Sequence, residues 1–329
     1  MAEGTVKAVQ DVSFDLSSDD VLGIVGETGS GKSVCVKTIA GLIDPPGYIA
    51  NGEILLYTDE FARIARKEKE YVDLAKLKQE SFSRIRGKHI GMIFQDPMTS
   101  LNPIFTIADQ MIEVIVHHEK VSEGEARERA IKLLEQVGIP KPTERIDDYP
   151  FQLSGGQRQR VVIAIALSCN PEVLVADEPS TALDVTVQAQ ILELMKDLQK
   201  QFNSSMIFIT HDLAVIAEMA TKISVMYGSY QMEVAPVDNI FEVPMHPYTH
   251  ALLACIPRLD IKQAELLPIP GQPPVMMNPP KLCPFLPRCT RSVDKCEQVL
   301  PDLEQVEEDH FIRCNNPVPQ KVQVVKEGV

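Results

Sequence analysis

The chain has 329 residues, 44% hydrophobic and 24% charged, with a formal net charge of −14. That length suits one large domain or two modest ones, and the composition is ordinary for a globular protein. The negative charge argues against a phosphate-neutralising nucleic-acid surface, no run approaches the roughly 18 apolar residues of a membrane span, and residues 1–10 lack the basic region and apolar core of a signal peptide. A cytoplasmic chain is therefore expected, one that reaches a membrane only by docking on a protein already there.

In chain order, the first clear element is the apolar run Val21–Val25, which reads as a strand buried on both faces. Gly26 to Ser33 follow, then a helix over Val34–Leu42. Residues 59–88 are charged, with Arg63, Arg66, Lys67 and Lys69 among acids, and read as a solvated face. A second buried strand, Ile90–Phe94, is ended by Gln95. Phe105 to Gly138 reads as a charged helical insert. A third strand, Val173–Ala176, runs into Asp177-Glu178. Val187, Ile191, Leu194, Met195, Leu198 and Phe202 then fall on one helical face, and a fourth strand, Met206–Thr210, runs into His211. Strand, helix, strand implies a parallel α/β sheet.

The composition shifts near residue 240, since 14 of the 24 prolines lie from Phe241 onward. The expected division is a main domain over 1–238, with a helical subdomain at about 97–160, and a loop-rich C-terminal domain over 239–329.

Gly26-Glu27-Thr28-Gly29-Ser30-Gly31-Lys32-Ser33 fits G-x-x-x-x-G-K-S/T, and it follows a strand and opens a helix, the context the motif requires. Its glycines let backbone N–H groups turn inward around phosphate oxygens, and the helix that follows points its positive end at the same anion. Lys32 is expected at the β- and γ-phosphates and Ser33 on Mg²⁺. Carboxylates at a strand's C-terminal end sit where open α/β sheets bind ligands. Asp177 is thus a Mg²⁺ candidate, and Glu178 a candidate to polarise the attacking water. His211 and Gln95 end neighbouring strands and are candidates for the γ-phosphate and for Mg²⁺ or water.

Leu153-Ser154-Gly155-Gly156-Gln157 opens a helix with small residues and exposed N–H groups, suited to an anion. The ordered set is the phosphate loop, Gln95, this segment, Asp177-Glu178, Ser180-Thr181-Ala182-Leu183-Asp184 and His211. It resembles the ATPases of ABC transporters. That resemblance implies a P-loop NTPase, ABC-type ATPase domain, with ATP and Mg²⁺ as ligands. It also implies a head-to-tail dimer in which Ser154, Gly155, Gly156 and Gln157 of one subunit cover the ATP held by the other, with Asp184 in the loop that crosses the interface.

A second set narrows the family. Phe94 to Pro103, His246-Pro247-Tyr248-Thr249, Pro270-Gly271-Gln272-Pro273-Pro274, and Cys283-Pro284-Phe285 with Pro287-Arg288-Cys289 are similar to the oligopeptide, dipeptide and nickel importer branch. The partners this implies are two membrane permease subunits, a sister ATPase and an extracytoplasmic solute-binding protein, with this chain peripheral at the cytoplasmic face. Peptide uptake is the expected task; a nickel or other small-solute importer is the alternative, and a soluble ABC ATPase outside transport a more distant one. The chain departs from the branch in three places. It starts just before Val6-Lys7-Ala8-Val9, where family members carry an earlier strand and an adenine-stacking aromatic. Asp19-Asp20 replaces Gly-Glu, and residues 57–80 run long.

Of the seven cysteines, Cys35, Cys169 and Cys255 stand among apolar residues and read as small buried hydrophobes. Cys283, Cys289, Cys296 and Cys314 are spaced x5, x6 and x17, which matches neither ferredoxin patterns nor the close pairs of common zinc sites. Spacing alone leaves a metal site and four unliganded thiols open. The resemblance implies a [4Fe-4S] cluster in preference to Zn²⁺, in a structural or regulatory role.

Overall fold

The computed structural model describes residues 4–58, 71–181, 183–255, 268–277 and 281–319. Among them ten strands form: β1 (Val21–Val25), β2 (Leu55–Tyr57), β3 (Tyr71–Asp73), β4 (Ile90–Ile93), β5 (Val173–Asp177), β6 (Ser205–Ile209), β7 (Lys222–Tyr227), β8 (Tyr230–Pro236), β9 (Glu304–Glu307) and β10 (His310–Ile312). The chain gathers into two compact bodies. One comprises Met1–Asp15, Leu22–Lys32 and His211–Val329; the other comprises Leu16–Val21 and Ser33–Thr210.

In the second body β4, β5 and β6 lie side by side and parallel, with Ile90 opposite Val173 and Val173 opposite Ser205. Ile93, Val175, Ala176, Phe208 and Ile209 are fully buried, which is why these strands read as unbroken apolar runs. The helix Gly155–Leu167 packs against β4 where a side chain is missing. A Cβ on Gly91 would lie 2.4 Å from the Ala166 carbonyl oxygen. The expected helical insert is present as Ile107–Glu119 and Glu123–Gln136, flanked by one-turn helices at Pro97–Ser100 and Pro142–Arg145. Thr106 and Asp109 form a reciprocal cap at the first long helix, and Ser122 caps the second. Met111, Ile115, Ala126, Ala130 and Leu134 close their shared core.

The charged stretch at 59–88 is only partly described. Arg63, Arg66, Lys67 and Lys69 lie outside the described residues, as does Ala182. In the remainder Lys76, Lys78, Glu80 and Arg84 are exposed, while β3 pairs antiparallel with β2 and Leu74, Phe82 and Ile85 are buried beneath. Alternation of single apolar residues among charges concealed that small core.

In the first body the strand order is β1, β7, β8, β10, β9. β1 and β7 are parallel, and each later pairing is antiparallel. Phe311 stands opposite Val234 and Ile312 opposite Glu233, so the C-terminal segment adds two strands to the sheet. The expected boundary at residue 238 falls inside this first body. The described residues from His211 onward cluster with Leu22–Lys32. The physical cause is β8, whose second edge would otherwise hold unpaired backbone groups.

Candidate nucleotide and metal site

The loop Gly26–Lys32 lies in the first body, after β1. Gly26 has φ +149 and a Cβ there would meet the Met226 carbonyl oxygen at 2.0 Å; Gly31 has φ +100 and would meet the Ala8 carbonyl oxygen at 2.2 Å. Both positions exclude a side chain, so the motif's glycines are required by the fold as well as by any ligand. Gly29 has φ +82 and nothing near its missing side chain, so the loop stays open on that face. Ser30 donates its amide to the Glu27 carbonyl, and its buried hydroxyl has no protein partner. The Lys32 ammonium donates to the Gly26 carbonyl at 2.7 Å and to the Glu27 carbonyl at 3.1 Å, which holds it across the loop. An inward-turned loop, an orphaned buried hydroxyl and a buried ammonium fit a phosphate chain.

Glu27 behaves unlike its neighbours. Its amide donates to the Tyr248 hydroxyl at 3.0 Å, and its carboxylate accepts two bonds from Arg288 at 2.7 and 3.1 Å. Expected to hold nucleotide, it is also engaged by the C-terminal segment through its amide and its carboxylate. Sequence reasoning missed this. Both partners stand in motifs that the branch resemblance singles out, yet they lie 221 and 261 residues away.

In the second body Ser33 opens the helix Lys32–Ile39, and its hydroxyl donates to Asp177 Oδ1 at 2.9 Å. Asp177 ends β5 and is buried. A hydroxyl and a carboxylate brought together in this way are the oxygen donors Mg²⁺ takes. Glu178, the next residue, is held with φ +49, and its amide donates to the Ile209 carbonyl. That backbone turns its side chain out of the strand. Its Oε2 accepts from Gln95 Nε2 at 3.0 Å and from Thr181 Oγ1 at 3.1 Å. The structure thus brings Gln95, Glu178, Ser33 and Asp177 to the C-terminal ends of β4 and β5, as sequence reasoning expects. Thr181 joins them. His211, exposed, comes two residues after β6 and begins the last segment of the other body.

Ser154 caps the helix Gly155–Leu167. Its hydroxyl accepts from the Gln157 amide at 3.3 Å, and the Gln157 side chain accepts from the Ser154 amide at 3.0 Å. Gly155 is exposed, so the positive end of this helix faces outward. Gly156 has no room for a side chain, since a Cβ would lie 2.7 Å from Val187. Asp184 caps the helix that carries Val187 by accepting from its amide at 3.0 Å.

Residues 9–181 match the ABC transporter family, and residues 232–296 match the oligopeptide/dipeptide transporter C-terminal region. The chain belongs to the ABC transporter ATPase family. It is 47% identical over 312 residues to the dipeptide transport ATP-binding protein DppD of Bacillus subtilis, covering 94% of this chain and 89% of that protein. It is 49% identical to the oligopeptide transport ATP-binding protein OppD of the same organism, covering 94% of this chain and 84% of that protein. Among solved structures it resembles a dimeric ATP-binding cassette in a post-hydrolysis state bound to ADP and Pi, with TM-score 0.60, 27% identity, and coverage of 72% of this chain and 94% of that one. Its membership makes it an ATP-hydrolysing enzyme of the P-loop, ABC type.

The matched C-terminal region, residues 232–296, carries Cys283, Cys289 and Cys296, and Cys314 follows it. Cys283, Cys289, Cys296 and Cys314 together line one small cavity, with Phe285 and Arg291 beside them. Burial pushes the Cys283 thiol up to about 12 and the Cys314 thiol up to about 11, and raises Cys289 as well. Backbone amides are directed at these sulfurs: those of Phe285 and Leu286 at Cys283, of Arg291 at Cys289, and of Asn316 at Cys314, the last at 3.4 Å. Among the described residues no group of three or more His, Cys, Asp or Glu is arranged so that it could hold a metal ion. Cys35 and Cys169 are buried as expected; Cys255 is half-buried, with its thiol on the Ala251 carbonyl. No helix among the described residues is long and apolar enough to cross a membrane.

Proposed function

We propose that this chain is the ATP-hydrolysing subunit that powers peptide uptake through a membrane ABC importer. The observation that carries the peptide reading is the C-terminal region shared with oligopeptide and dipeptide transporters, folded here onto the body that holds the phosphate loop. Gly26 to Ser33 hold the nucleotide phosphates, with Mg²⁺ on Ser33 and Asp177. Glu178 takes a proton from the attacking water, Gln95 and Thr181 fix its carboxylate, and His211 contacts the γ-phosphate. Ser154, Gly155, Gly156 and Gln157 complete the site of a sister subunit in a head-to-tail dimer. Because their helix end is exposed and anion-seeking, it suits a phosphate supplied from outside the chain.

The partners are two membrane permeases, a sister ATPase and an extracytoplasmic solute-binding protein, with this chain peripheral at the cytoplasmic face. Phe94, Met98, Ile104, Phe105 and Phe151 are exposed apolar residues along and beside the Gln95–Pro103 segment, and they offer the permeases an apolar docking surface. Arg158 ties that surface together, donating to the Met98 sulfur and to the Pro150 carbonyl.

Cys283, Cys289, Cys296 and Cys314 hold a [4Fe-4S] cluster. Four cysteines on one cavity, with amides aimed at their sulfurs, fit a thiolate-ligated group, because N–H donors stabilise the sulfur charge that ligation creates. Zinc has the weaker claim, because one tetrahedral ion needs four sulfurs within about 2.3 Å of it. The raised thiols mean that the group must displace protons as it binds. Its contribution is to bind together a segment poor in core-forming residues. Anaerobic purification tests this: iron and sulfide at about four per chain, lost in Cys289→Ser, support it, and stoichiometric zinc or no metal rejects it.

The transport reading is tested by reconstituting the chain with its permeases and binding protein in vesicles. Stimulation of ATP hydrolysis by peptide-loaded binding protein, abolished in Glu178→Gln, is the expected result. Stimulation by Ni²⁺ instead of peptide would move the chain to the nickel branch.

A further inference from the structure

A carboxylate within a loop that binds phosphate is an electrostatic liability unless something neutralises it. Glu27 is such a carboxylate, and its neutralisation is elaborate. Arg288 uses all five of its N–H donors: two on Glu27, one on the Tyr227 hydroxyl at 2.9 Å, one on the Ile269 carbonyl at 3.0 Å and one on the Pro270 carbonyl at 2.8 Å. The Arg288 side chain is 6% exposed and that of Glu27 22% exposed, so the pair is shielded from salt and water on one side. The guanidinium also lies over the Tyr227 ring, 5.6 Å from its centre. Tyr227, Tyr248 and Phe285 form a buried aromatic cluster with ring centres 4.5 to 5.3 Å apart. Tyr248, from that cluster, accepts the Glu27 amide.

We propose that Arg288 and Tyr248 are positioning residues of the phosphate loop, with Arg288 cancelling and orienting the Glu27 carboxylate and Tyr248 fixing the Glu27 amide. The C-terminal region thus sets nucleotide affinity without touching the nucleotide. Arg288 ends the short helix Leu286–Arg288 and is followed directly by Cys289, so the cysteine cavity and the phosphate loop share one rigid link. The proposal rests on reading Gly26–Ser33 as the nucleotide loop.

The test is titration of the purified full chain with a fluorescent MgATP analogue, alongside the kcat and KM of hydrolysis. Arg288→Ala leaves Glu27 charged and unpaired beside the phosphates, and is expected to weaken binding about tenfold through KM more than kcat. Adding Glu27→Gln removes that charge, and is expected to return affinity to within about threefold of wild type, a rescue that mere loosening of the loop would not give. Tyr248→Phe, which removes one hydroxyl and leaves the ring, is expected to weaken binding about threefold. Wild-type affinity in Arg288→Ala, or no rescue in the double variant, overturns the proposal. Should Arg288→Ala fail to fold, Tyr248→Phe and Arg288→Lys decide it, and wild-type affinity in both overturns it. Lys32→Ala is the control for the underlying reading: if it binds MgATP as wild type does, the loop assignment itself has failed.

Discussion

Glu178→Gln isolates chemistry from structure. The Glu178 backbone sits at φ +49, a conformation that costs any non-glycine residue about 1 kcal/mol, and glutamine bears the same cost. Two hydrogen bonds to the side chain fall on one oxygen, from Gln95 at 3.0 Å and Thr181 at 3.1 Å. An amide oxygen in that position accepts both, so fold stability should change by less than about 0.5 kcal/mol. What disappears is the capacity to take a proton. Loss of a positioned base slows a reaction by about 10²–10⁴-fold, which corresponds to about 2.7–5.5 kcal/mol of barrier. The assay is single-turnover ATP hydrolysis beside MgATP binding and thermal unfolding of the same preparation. Binding and unfolding should match wild type while hydrolysis falls at least a hundredfold. Hydrolysis above about a tenth of the wild-type rate would refute the role given to Glu178.

Ser33→Ala breaks the bond to Asp177, and should raise the Mg²⁺ needed for half-maximal hydrolysis about tenfold while metal-free ATP binding holds; an unchanged Mg²⁺ requirement would count against the metal assignment. Gly31→Ala forces a Cβ to 2.2 Å from the Ala8 carbonyl at φ +100, and should lower unfolding stability by at least about 2 kcal/mol in denaturant titration. Burial lowers His246 to about 4, with Glu233 and Arg313 facing it. Because the folded value lies below the free value of about 6.5, its stabilisation is complete above that pH and lost as pH falls toward 4, to the extent of about 3 kcal/mol. The difference in melting temperature between wild type and His246→Asn should therefore shrink between pH 7.5 and 4.5. Ile104→Ser with Phe151→Ser should leave hydrolysis by the isolated chain unchanged and abolish its stimulation by permeases; stimulation at the wild-type level would remove this patch as the docking surface.

The parallel strands were legible because each is a run of β-branched and aliphatic residues buried on both faces, bounded by turn residues. The phosphate loop was legible because steric exclusion at Gly26 and Gly31 leaves glycine no substitute. β8 was not legible. It carries Gln231 and Glu233, both fully buried, where a buried strand is expected to be apolar. Their partners explain them: Glu233 accepts from the Met245 amide at 2.7 Å, the His246 amide at 3.0 Å and His310 at 2.8 Å, while Gln231 donates to Ser224 at 2.9 Å. Such satisfaction comes from other elements, His310 among them 77 residues away, and the alternation within the strand does not record it. β9 escaped notice for a related reason: Glu304–Glu307 is exposed throughout and is a strand only because β10 lies beside it.

A net charge of −14 says little about a site that binds a polyanion. Charges more than about 8 Å away are largely screened in physiological salt, so the local arrangement decides. In the loop proposed to hold the phosphates, that arrangement consists of inward-turned amides and the Lys32 ammonium, with Glu27 paired to Arg288. The one acid inside the loop is also the one that the C-terminal region grips. A loop that tolerates Glu27 needs Arg288, and Arg288 needs the strands, aromatic cluster and cysteine cavity that hold it.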